Sequence, residues 1–371
     1  MKQNKTNHRQ SNQQKQTRKK SSAGPEHEEI YVGLDLHSDH IRVVRQIDEA
    51  NFEPAQRVSW EKIDGFFQKQ KQLAKKVYTV YEAGAFGYGL ARRLEAMGVE
   101  CYVIAPCKLD PDHKRVQNDK TDARQLCEKL WRYVRGNTKA MRVVHIPSPE
   151  EEDKRTEARH RRHLAKERQS LIAHGRGLLL SAGHRKPGAW WSAKRWEELS
   201  WQLSPQLRKA LEDCQTIITR YTWLLLPVEK KLEDSAPAQV PLGMGQLSLV
   251  LLLREIYDWH RFKNRRQVGG FLGLCGGVSS SSRSHYDLSI TKCGSPHLRA
   301  LLVEMAWRIS RFQPDYQAVK KWSHILGDKR KHRRLRKRAI VALARQLAVD
   351  IWKWQTGRAT PEQLGWEMIS H

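Results

Sequence analysis

The sequence predicts an α/β protein whose first domain holds a partly parallel sheet and whose remaining domains are mainly helical. Between residue 29 and about residue 145, short apolar runs of strand length alternate with stretches of helical periodicity. That alternation is typical of α/β domains with parallel pairing. Beyond it, long charged stretches carry leucines at helical spacing. We therefore expect four segments, listed here in order: a tail at 1–27, an α/β domain at 28–147, a helical linker at 148–235, and a C-terminal domain at 236–371.

The first segment is polar and basic. Residues 1–27 consist largely of Gln, Asn, Lys, Arg and Ser, with almost nothing apolar. Such a segment buries too little apolar surface to offset the entropy of ordering its chain. It predicts a disordered basic tail, which either contacts nucleic acid or stays solvated.

The elements of the α/β domain follow in order. I-Y-V-G-L-D-L and I-R-V-V-R-Q-I predict two strands joined by the tight turn H-S-D-H. Residues 77–82 predict a third strand, and C-Y-V-I-A a fourth. Between them, residues 86–97 have helical periodicity that Gly98 ends.

The linker is predicted to be two helices. Leu164, Leu171 and Leu178 lie seven residues apart, a spacing that suits a coiled coil or packing against the same chain. A Gly/Pro/Trp-rich break at 183–191 precedes a second helix at about 205–226. Pro227 is predicted to end or kink that helix, because proline lacks the backbone N–H.

Two features of the last third suggest phosphate contacts. P-L-G-M-G before an apolar helix resembles a helix-hairpin-helix turn, although an ordinary loop explains it equally well. The run K-R-K-H-R-R-L-R-K-R leads into an apolar helix, and its charge density favours a phosphate-contacting face over simple solvation.

The charge of the chain points to a nucleic-acid partner. Lys and Arg total 67 against 40 Asp and Glu, a net charge of +27, and basic proteins bind nucleic acid by releasing counterions. A basic membrane-surface protein is the alternative. The sequence has neither a run of roughly 18 apolar residues nor a signal-peptide pattern, so we expect a cytoplasmic protein without a membrane partner. The six cysteines form no C-x-x-C pair, which predicts reduced thiols.

Four carboxylates in this basic chain suggest a metal site. Asp35 lies in the first strand, Glu82 ends the third, and Asp119 and Asp122 are three apart at the start of a predicted helix. Residues three apart share a helix face, so both could meet one metal ion, although Asp119 also suits a helix N-cap. The plain alternative for Asp35 is that its side chain faces solvent at the end of the strand. Together, the order matches an RNase H-like nuclease that binds Mg²⁺ against a phosphodiester.

These motifs resemble a known family over roughly residues 29–355, the transposases of insertion sequence 110 type, also called DEDD transposases or bridge-RNA-guided recombinases. The resemblance rests on Y-V-G-L-D-L, Y-E-A-G-A-F-G-Y-G-L, D-K-T-D-A-R-Q-L, V-P-L-G-M-G, F-L-G-L and S-I-T-K-C-G-S-P-H-L-R. It implies a RuvC-like first domain, a coiled-coil-type linker and a C-terminal domain with a nucleophilic serine. The carried-over metal ligands are Asp35, Glu82, Asp119 and Asp122.

The resemblance places the serine by counting. Spacing from Gly273-Leu274 and from Thr291-Lys292-x-Gly294 both lead to Ser281, with Ser280 as second choice in the run 279–282. The family often has G-L-T-P-R before the serine and S-G at it, whereas this chain has G-L-C-G-G and S-S-S-S-R. Many members also have K-T-D-x-x-D-A, whereas here K-T-D-A follows an earlier Asp.

The interpretation assigns a reaction and partners. Mg²⁺ held by the tetrad and attack by the serine would cut and rejoin donor and target DNA through a covalent serine–DNA intermediate. The serine is about 160 residues from the tetrad in the sequence, so we expect a composite active site. The resemblance implies a noncoding guide RNA and a homo-oligomer, a dimer or tetramer. The expected nucleic-acid contacts are Lys292, Arg299, Arg333, Arg334, Arg336 and Lys337. The alternatives are a metal-dependent nuclease or junction resolvase and a nucleic-acid-binding protein without catalysis.

Overall fold

The computed structural model describes residues 25–106, 119–281, 284–328 and 330–370, apart from the side chains of 119–121 and 278–288. The predicted tail therefore lies, up to residue 24, outside the described residues. The chain divides into two compact units between Ile146 and Pro147. The finer division of the second unit into a linker and a C-terminal domain remains a prediction.

The first unit contains a five-stranded mixed sheet. Its strands are β1 (His27–Leu36), β2 (Ile41–Ile47), β3 (Gln56–Val58), β4 (Ala74–Glu82) and β5 (Glu100–Ile104). Their order in the sheet is β3-β2-β1-β4-β5, and β4 runs parallel to both β1 and β5. The prediction of an α/β domain with partly parallel pairing is confirmed. The three-residue β3 was not predicted, because it is too short to show alternation.

Helices cover both faces of this sheet. They are α1 (Ile63–Leu73), α2 (Gly89–Ala96) and α3 (Asp119–Val134). Val32 and Leu34 of β1 pack in one cluster with residues of α1 and α2, whereas Tyr31 packs with residues of α3. Successive strand residues point to opposite faces of the sheet. The odd-numbered residues of β1 therefore face α3, and the even-numbered ones face α1 and α2. Helix α1 was missed, although its buried Ile63, Phe67 and Gln70 have helical spacing.

Helix α3 crosses β1 at a glycine. A Cβ built on Gly33 would lie 2.2 Å from the Ala123 carbonyl oxygen and 2.6 Å from the Cys127 nitrogen. No side chain fits in that space, and only glycine allows so close an approach of two backbones. The buried Cys127 thiol also donates to the Tyr31 carbonyl at 3.3 Å. Burial raises the pKa of this thiol to about 12, so it remains a protonated donor at neutral pH.

The second unit begins with a pair of long helices. Helix α4 (Pro149–Ser181) starts with a capping box between Ser148 and Glu151, and it is followed by α5 (Ala193–Leu199) and α6 (Pro205–Asp234). Helix α4 packs along α6 of the same chain. Leu171 and Leu178 adjoin the buried cluster that includes Ile218 of α6. The coiled coil stays a prediction.

Of the two effects predicted for Pro227, an end or a kink of the second helix, the end was wrong and the kink stays a prediction. Helix α6 continues through Pro227 to Asp234. Proline in a helix interior costs roughly 3 kcal/mol, and the buried residues on both sides of it, Leu225 and Leu232, supply the compensating contacts. Ion pairs also hold the partner helix α4 to this half of α6, between Arg161 and Glu229 and between Glu157 and Lys231.

The rest of the second unit is mainly helical, with two small sheets. Strand β6 (Gln239–Pro241) pairs with the C-terminal β9 (Met368–Ser370), and β7 (Gly276–Ser281) pairs with β8 (Ser284–Ile290). The helices are α7 (Gln246–Ile256), α8 (Arg265–Leu272), α9 (Pro296–Phe312), α10 (Gln317–Leu326), α11 (Arg333–Gln355) and α12 (Pro361–Leu364). They share one apolar core centred on α7, α9 and α11. None of the described helices is long and apolar enough to cross a membrane.

The close approach at Gly33 makes a stability prediction. We expect Gly33→Ala to lower the free energy of unfolding by about 2 kcal/mol or more, because its Cβ must push α3 away from β1. The matched control is Gly65→Ala in α1, where a Cβ meets nothing within 4 Å. Alanine is the better helix former, so the control should gain up to about 1 kcal/mol. Urea unfolding followed by circular dichroism measures both, and equal effects would contradict this account of the contact.

Candidate functional site

Asp35 and Glu82 lie at the same edge of the sheet. Leu34 pairs with Tyr81 in the parallel ladder, and an acidic residue follows each of them. Both carboxylates thus sit at the carboxyl ends of neighbouring parallel strands, the edge where open α/β sheets bind ligands. Asp35 shares the face of Gly33, and Glu82 shares the face of Val80, which packs with α3 residues. The Asp35 carboxylate is 23% exposed and lies 3.0 Å from His37 Nε2.

The other two acids lie in the first turn of α3. Tyr31 of β1 contacts Cys127 of α3, and Gly33, two residues further along the strand, faces both Cys127 and Ala123, one turn earlier in the helix. Four residues of helix rise about 6 Å and two residues of strand advance about 6.6 Å, so the two elements stay in step. If the helix continues in step, we expect the backbone of Asp119 to lie level with Asp35. Asp122, which is half-buried, lies in the same turn.

The donor set has the chemistry of a magnesium site. Carboxylate oxygens are the ligands that Mg²⁺ prefers, and it keeps several water molecules. Within the described part of the chain, no three His, Cys, Asp or Glu side chains stand close enough together to hold one metal ion. The side chain of Asp119, one of the four predicted ligands, lies outside that part. The metal site therefore stays a prediction that rests on the shared edge and face.

The two motifs used to locate the serine contact each other. A Cβ on Gly273 would lie 2.2 Å from the Cys293 carbonyl oxygen, and one on Gly294 would lie 2.1 Å from the Phe271 carbonyl oxygen. Both glycines have positive φ, as does Lys292. We call this contact between residues 271–274 and 291–294 the glycine clasp. It closes the base of the β7–β8 hairpin, which explains why both motifs flank the serine run.

The predicted serine lies at the far end of that hairpin. Ser280 pairs with His285 and Ser281 with Ser284, so Ser281 is the last residue of β7. The side chains of both serines lie outside the described residues, and the assignment stays a prediction.

Arg299 contributes to the glycine clasp. Its Nη1 donates to the carbonyl oxygens of Leu272 at 3.3 Å and Gly294 at 3.1 Å. This arginine therefore holds the end of α8 against the loop after β8. The structure thus gives Arg299 a structural role, whereas its nucleic-acid contact stays a prediction.

The basic run begins α11 with unfavourable charges. Arg333, Arg334 and Lys337 are exposed in the first turns, and no acidic residue lies in the first turn. A helix N-terminus carries partial positive charge, so cations there repel it and an external anion relieves the repulsion. Arg336 differs, because its guanidinium lies 5.9 Å from the centre of the Trp307 ring. Three of the four predicted contacts are thus available to phosphate.

The glycine-rich turn at 241–245 is occupied by the protein itself. Arg308 donates through Nη2 to the Met244 carbonyl at 2.8 Å and to Ser248 Oγ at 2.6 Å. Gln313 Nε2 also donates to the Leu242 carbonyl at 2.5 Å. These contacts anchor the turn to α9, which favours the ordinary-loop interpretation over a phosphate cradle.

Sequence reasoning missed several cations that line one cleft in the second unit. Lys337 belongs to this cleft, and so do Arg338 and Arg345 of the same helix. The last two are seven residues apart, which places them on one helix face. That seven-residue spacing is the signal in the sequence for a cationic helix face.

The sequence is similar to transposases. Residues 239–321 match the profile described as the Transposase IS116/IS110/IS902 family. The putative transposase y4rJ of Sinorhizobium fredii is 30% identical over 302 residues, covering 74% of this chain and 76% of the relative. The transposase for insertion sequence element IS1111A of Coxiella burnetii is 30% identical over 285 residues, covering 72% and 75%. The transposase for insertion sequence element IS1533 of Leptospira borgpetersenii is 25% identical, covering 75% and 85%.

The exposed start of α11 predicts a salt-dependent contribution to binding. Changing Arg333, Arg334 and Lys337 together to Gln should weaken binding to duplex DNA of any sequence, since phosphate contacts carry no base information. The logarithm of the binding constant falls with the logarithm of the salt concentration, and this slope should become shallower by about 2.7, at about 0.9 per phosphate contact. Fluorescence anisotropy measures the slope.

The matched control changes Lys186, Lys194 and Lys230 to Gln, three exposed cations of the second unit without a salt bridge among the described residues. It should keep the wild-type slope. Equal slopes for the two variants would assign the basic run to the solvated surface.

Proposed function

The chain belongs to the IS116/IS110/IS902 family of transposases, and we propose that it moves DNA by cutting and rejoining phosphodiesters with a serine nucleophile and a carboxylate-bound Mg²⁺. One observation carries the metal half of this proposal. Helix α3 meets β1 at Gly33 through Ala123 and Cys127, and this approach supports placing its first acids at the edge where Asp35 and Glu82 end their strands. Parallel strands with carboxylates at this edge support a RuvC-like assignment of the first unit.

The proposed ligands are Asp35, Glu82, Asp119 and Asp122. Carboxylates alone suit a hard cation such as Mg²⁺ better than a softer metal. The net charge of +27 on the chain offsets the negative charge of the four carboxylates. When bound, Mg²⁺ polarises the scissile phosphate and stabilises negative charge on the leaving oxygen. His37 lies 3.0 Å from the Asp35 carboxylate and would orient it.

The second unit would supply the nucleophile. Ser281 Oγ attacks phosphorus, a new Oγ–P bond forms, and the bond from phosphorus to the leaving strand oxygen breaks. The proton of the serine hydroxyl leaves to solvent, and the departing oxygen takes up a proton. Attack by a strand hydroxyl on the serine–DNA ester reverses these changes and joins the new strands. The glycine clasp supports this role by fixing the base of the hairpin.

The proposed partners are nucleic acids and further copies of the chain. DNA serves as donor and target, and a noncoding guide RNA would select the sites, as the resemblance implies. The net charge of +27 suits two polyanions bound together. A dimer or tetramer would give each strand its own nucleophile.

Single carboxylate changes test the metal site. We expect Asp35→Ala, Glu82→Ala, Asp119→Ala and Asp122→Ala each to abolish recombination while DNA binding survives, because each removes a ligand and no phosphate contact. Asp39→Ala is the matched control, since Asp39 is 63% exposed on the turn after β1. It should recombine normally. Wild-type recombination in both Asp119→Ala and Asp122→Ala would show that the metal-site assignment is wrong.

The nucleophile can be trapped. Ser281→Ala should leave folding and DNA binding intact, because removing one small hydroxyl changes stability little, yet stop strand transfer. A suicide DNA substrate followed by peptide mass spectrometry should find DNA attached to Ser281, and Ser279→Ala serves as the control that keeps the adduct. An adduct on Ser280 would correct the assignment by one residue. Metal-dependent cleavage without an adduct in any variant would favour the nuclease alternative.

A further inference from the structure

A cleft of the second unit lies at the base of the β7–β8 hairpin. Its volume is about 1040 Å³, and α8, α10, α11 and the hairpin form most of its walls, with α12 beside them. Gly276 and Ile290, which pair with each other at the base of the hairpin, line one side. Ser281 lies five residues along β7, roughly 17 Å away at the rise of a strand. The cleft and the proposed nucleophile therefore lie at the two ends of one hairpin in the same unit.

The cleft displays cations that have no ionic partner among the described residues. Seven cationic side chains line it against one carboxylate. Six of them form no salt bridge with any residue that the structure describes, and all six are exposed: Arg265, Arg266, Lys321, Lys337, Arg338 and Arg345. Like charges on facing walls repel one another, so an anion between them stabilises the arrangement.

The one carboxylate is already satisfied. Asp350 is 4% exposed and accepts hydrogen bonds from Tyr316 at 2.5 Å, from Gln346 at 3.0 Å and from Lys353 at 3.1 Å. Burial and the Asp350 charge raise the pKa of Tyr316 far above its usual range, so its hydroxyl stays a donor. Asp350 is therefore fully hydrogen-bonded within the protein, and Lys353 neutralises the charge of its carboxylate. An anion in the cleft would meet the six cations and not this carboxylate.

The cleft also offers an aromatic surface. Trp322 lines it, half-buried, with Lys321 Nζ 5.9 Å from its ring centre. Val341 and Leu364 add apolar surface beside the cations. Cations that follow a backbone, together with an aromatic ring on which a base stacks, are the two components of single-strand nucleic-acid sites. The volume is close to the upper range of small-ligand pockets, about 1,000 Å³, so it suits a few nucleotides of one strand and not a duplex.

We propose that this cleft binds an unpaired nucleic-acid strand, with its phosphates on the six cations and a base against Trp322. The inference rests on the proposed function only in that the partner is a nucleic acid, and it requires neither the carboxylates nor Ser281. The shared chemistry is a phosphodiester strand with exposed bases, supplied by DNA opened during strand exchange or by an RNA.

The test measures binding of short labelled oligonucleotides to the full-length protein. Changing Lys321, Arg338 and Arg345 together to Gln should lower the salt slope for a single strand by about 2, at about 0.7 per phosphate. Binding of a blunt duplex of the same length should change much less. The Lys186, Lys194 and Lys230 triple variant removes the same charge elsewhere and should behave as wild type.

A second variant pair tests the base contact. Trp322→Leu keeps apolar packing but removes the stacking surface, and we expect single-strand affinity to fall roughly 5- to 150-fold. Trp322→Phe should restore most of it. A merely structural role for Trp322 would instead lower strand and duplex binding alike, and that result would overturn the proposed base contact.

Parallel titrations with oligothymidylate and oligouridylate distinguish the two sources. If the cleft triple variant loses affinity for only one of the two oligonucleotides, that kind of strand is the occupant. Equal losses of affinity for both assign the site to the phosphate backbone that DNA and RNA share. The inference fails if the cleft triple variant and its control bind single strands equally well. These titrations measure binding alone, so failure of the proposed chemistry leaves the cleft result unaffected.

Discussion

The contact between Gly33 of β1 and the backbone of α3 is the constraint on which the candidate metal site depends. With 2.2 Å from a built Cβ to the Ala123 carbonyl oxygen, no other residue lets the helix lie this close to the strand. The thiol of Cys127 adds a hydrogen bond one step away. Two contacts fix both the position and the direction of the helix, and direction matters more. A helix that crossed β1 in the opposite sense would carry its first acids away from Asp35 and Glu82.

The second unit uses the same device at a different place. Gly273 and Gly294 let the end of α8 and the loop after β8 approach within backbone contact, and Arg299 closes the arrangement. The hairpin that carries the serine run grows from this clasp. The cationic cleft opens beside its base, where α11 turns Lys337, Arg338 and Arg345 to one side. The proposed strand binding and the proposed chemistry in this unit thus both depend on the glycine clasp.

Much of this was predictable from sequence, for physical reasons that differ from residue to residue. Strands β1, β2, β4 and β5 were found because their apolar runs are bounded by turn residues, and Asp35 and Glu82 followed from their strand ends. The continuation of α6 through Pro227 was not predictable, because burial of residues far apart in sequence outweighed the local tendency of proline to end a helix. The role of Gly33 could not be seen either, since nothing in Y-V-G-L-D-L tells which helix approaches it. The cleft required four separate segments to meet, which no local pattern encodes.

A double-mutant cycle on metal binding tests the central claim most directly, namely that α3 and β1 contribute ligands to one ion. Calorimetric titration of Mg²⁺ into the DNA-bound protein would compare wild type, Asp35→Asn, Asp122→Asn and the double variant. If both residues hold one ion, either single change should remove most of the binding and the second should add little, a strongly non-additive result. Independent losses that sum within about 0.5 kcal/mol would contradict the shared site.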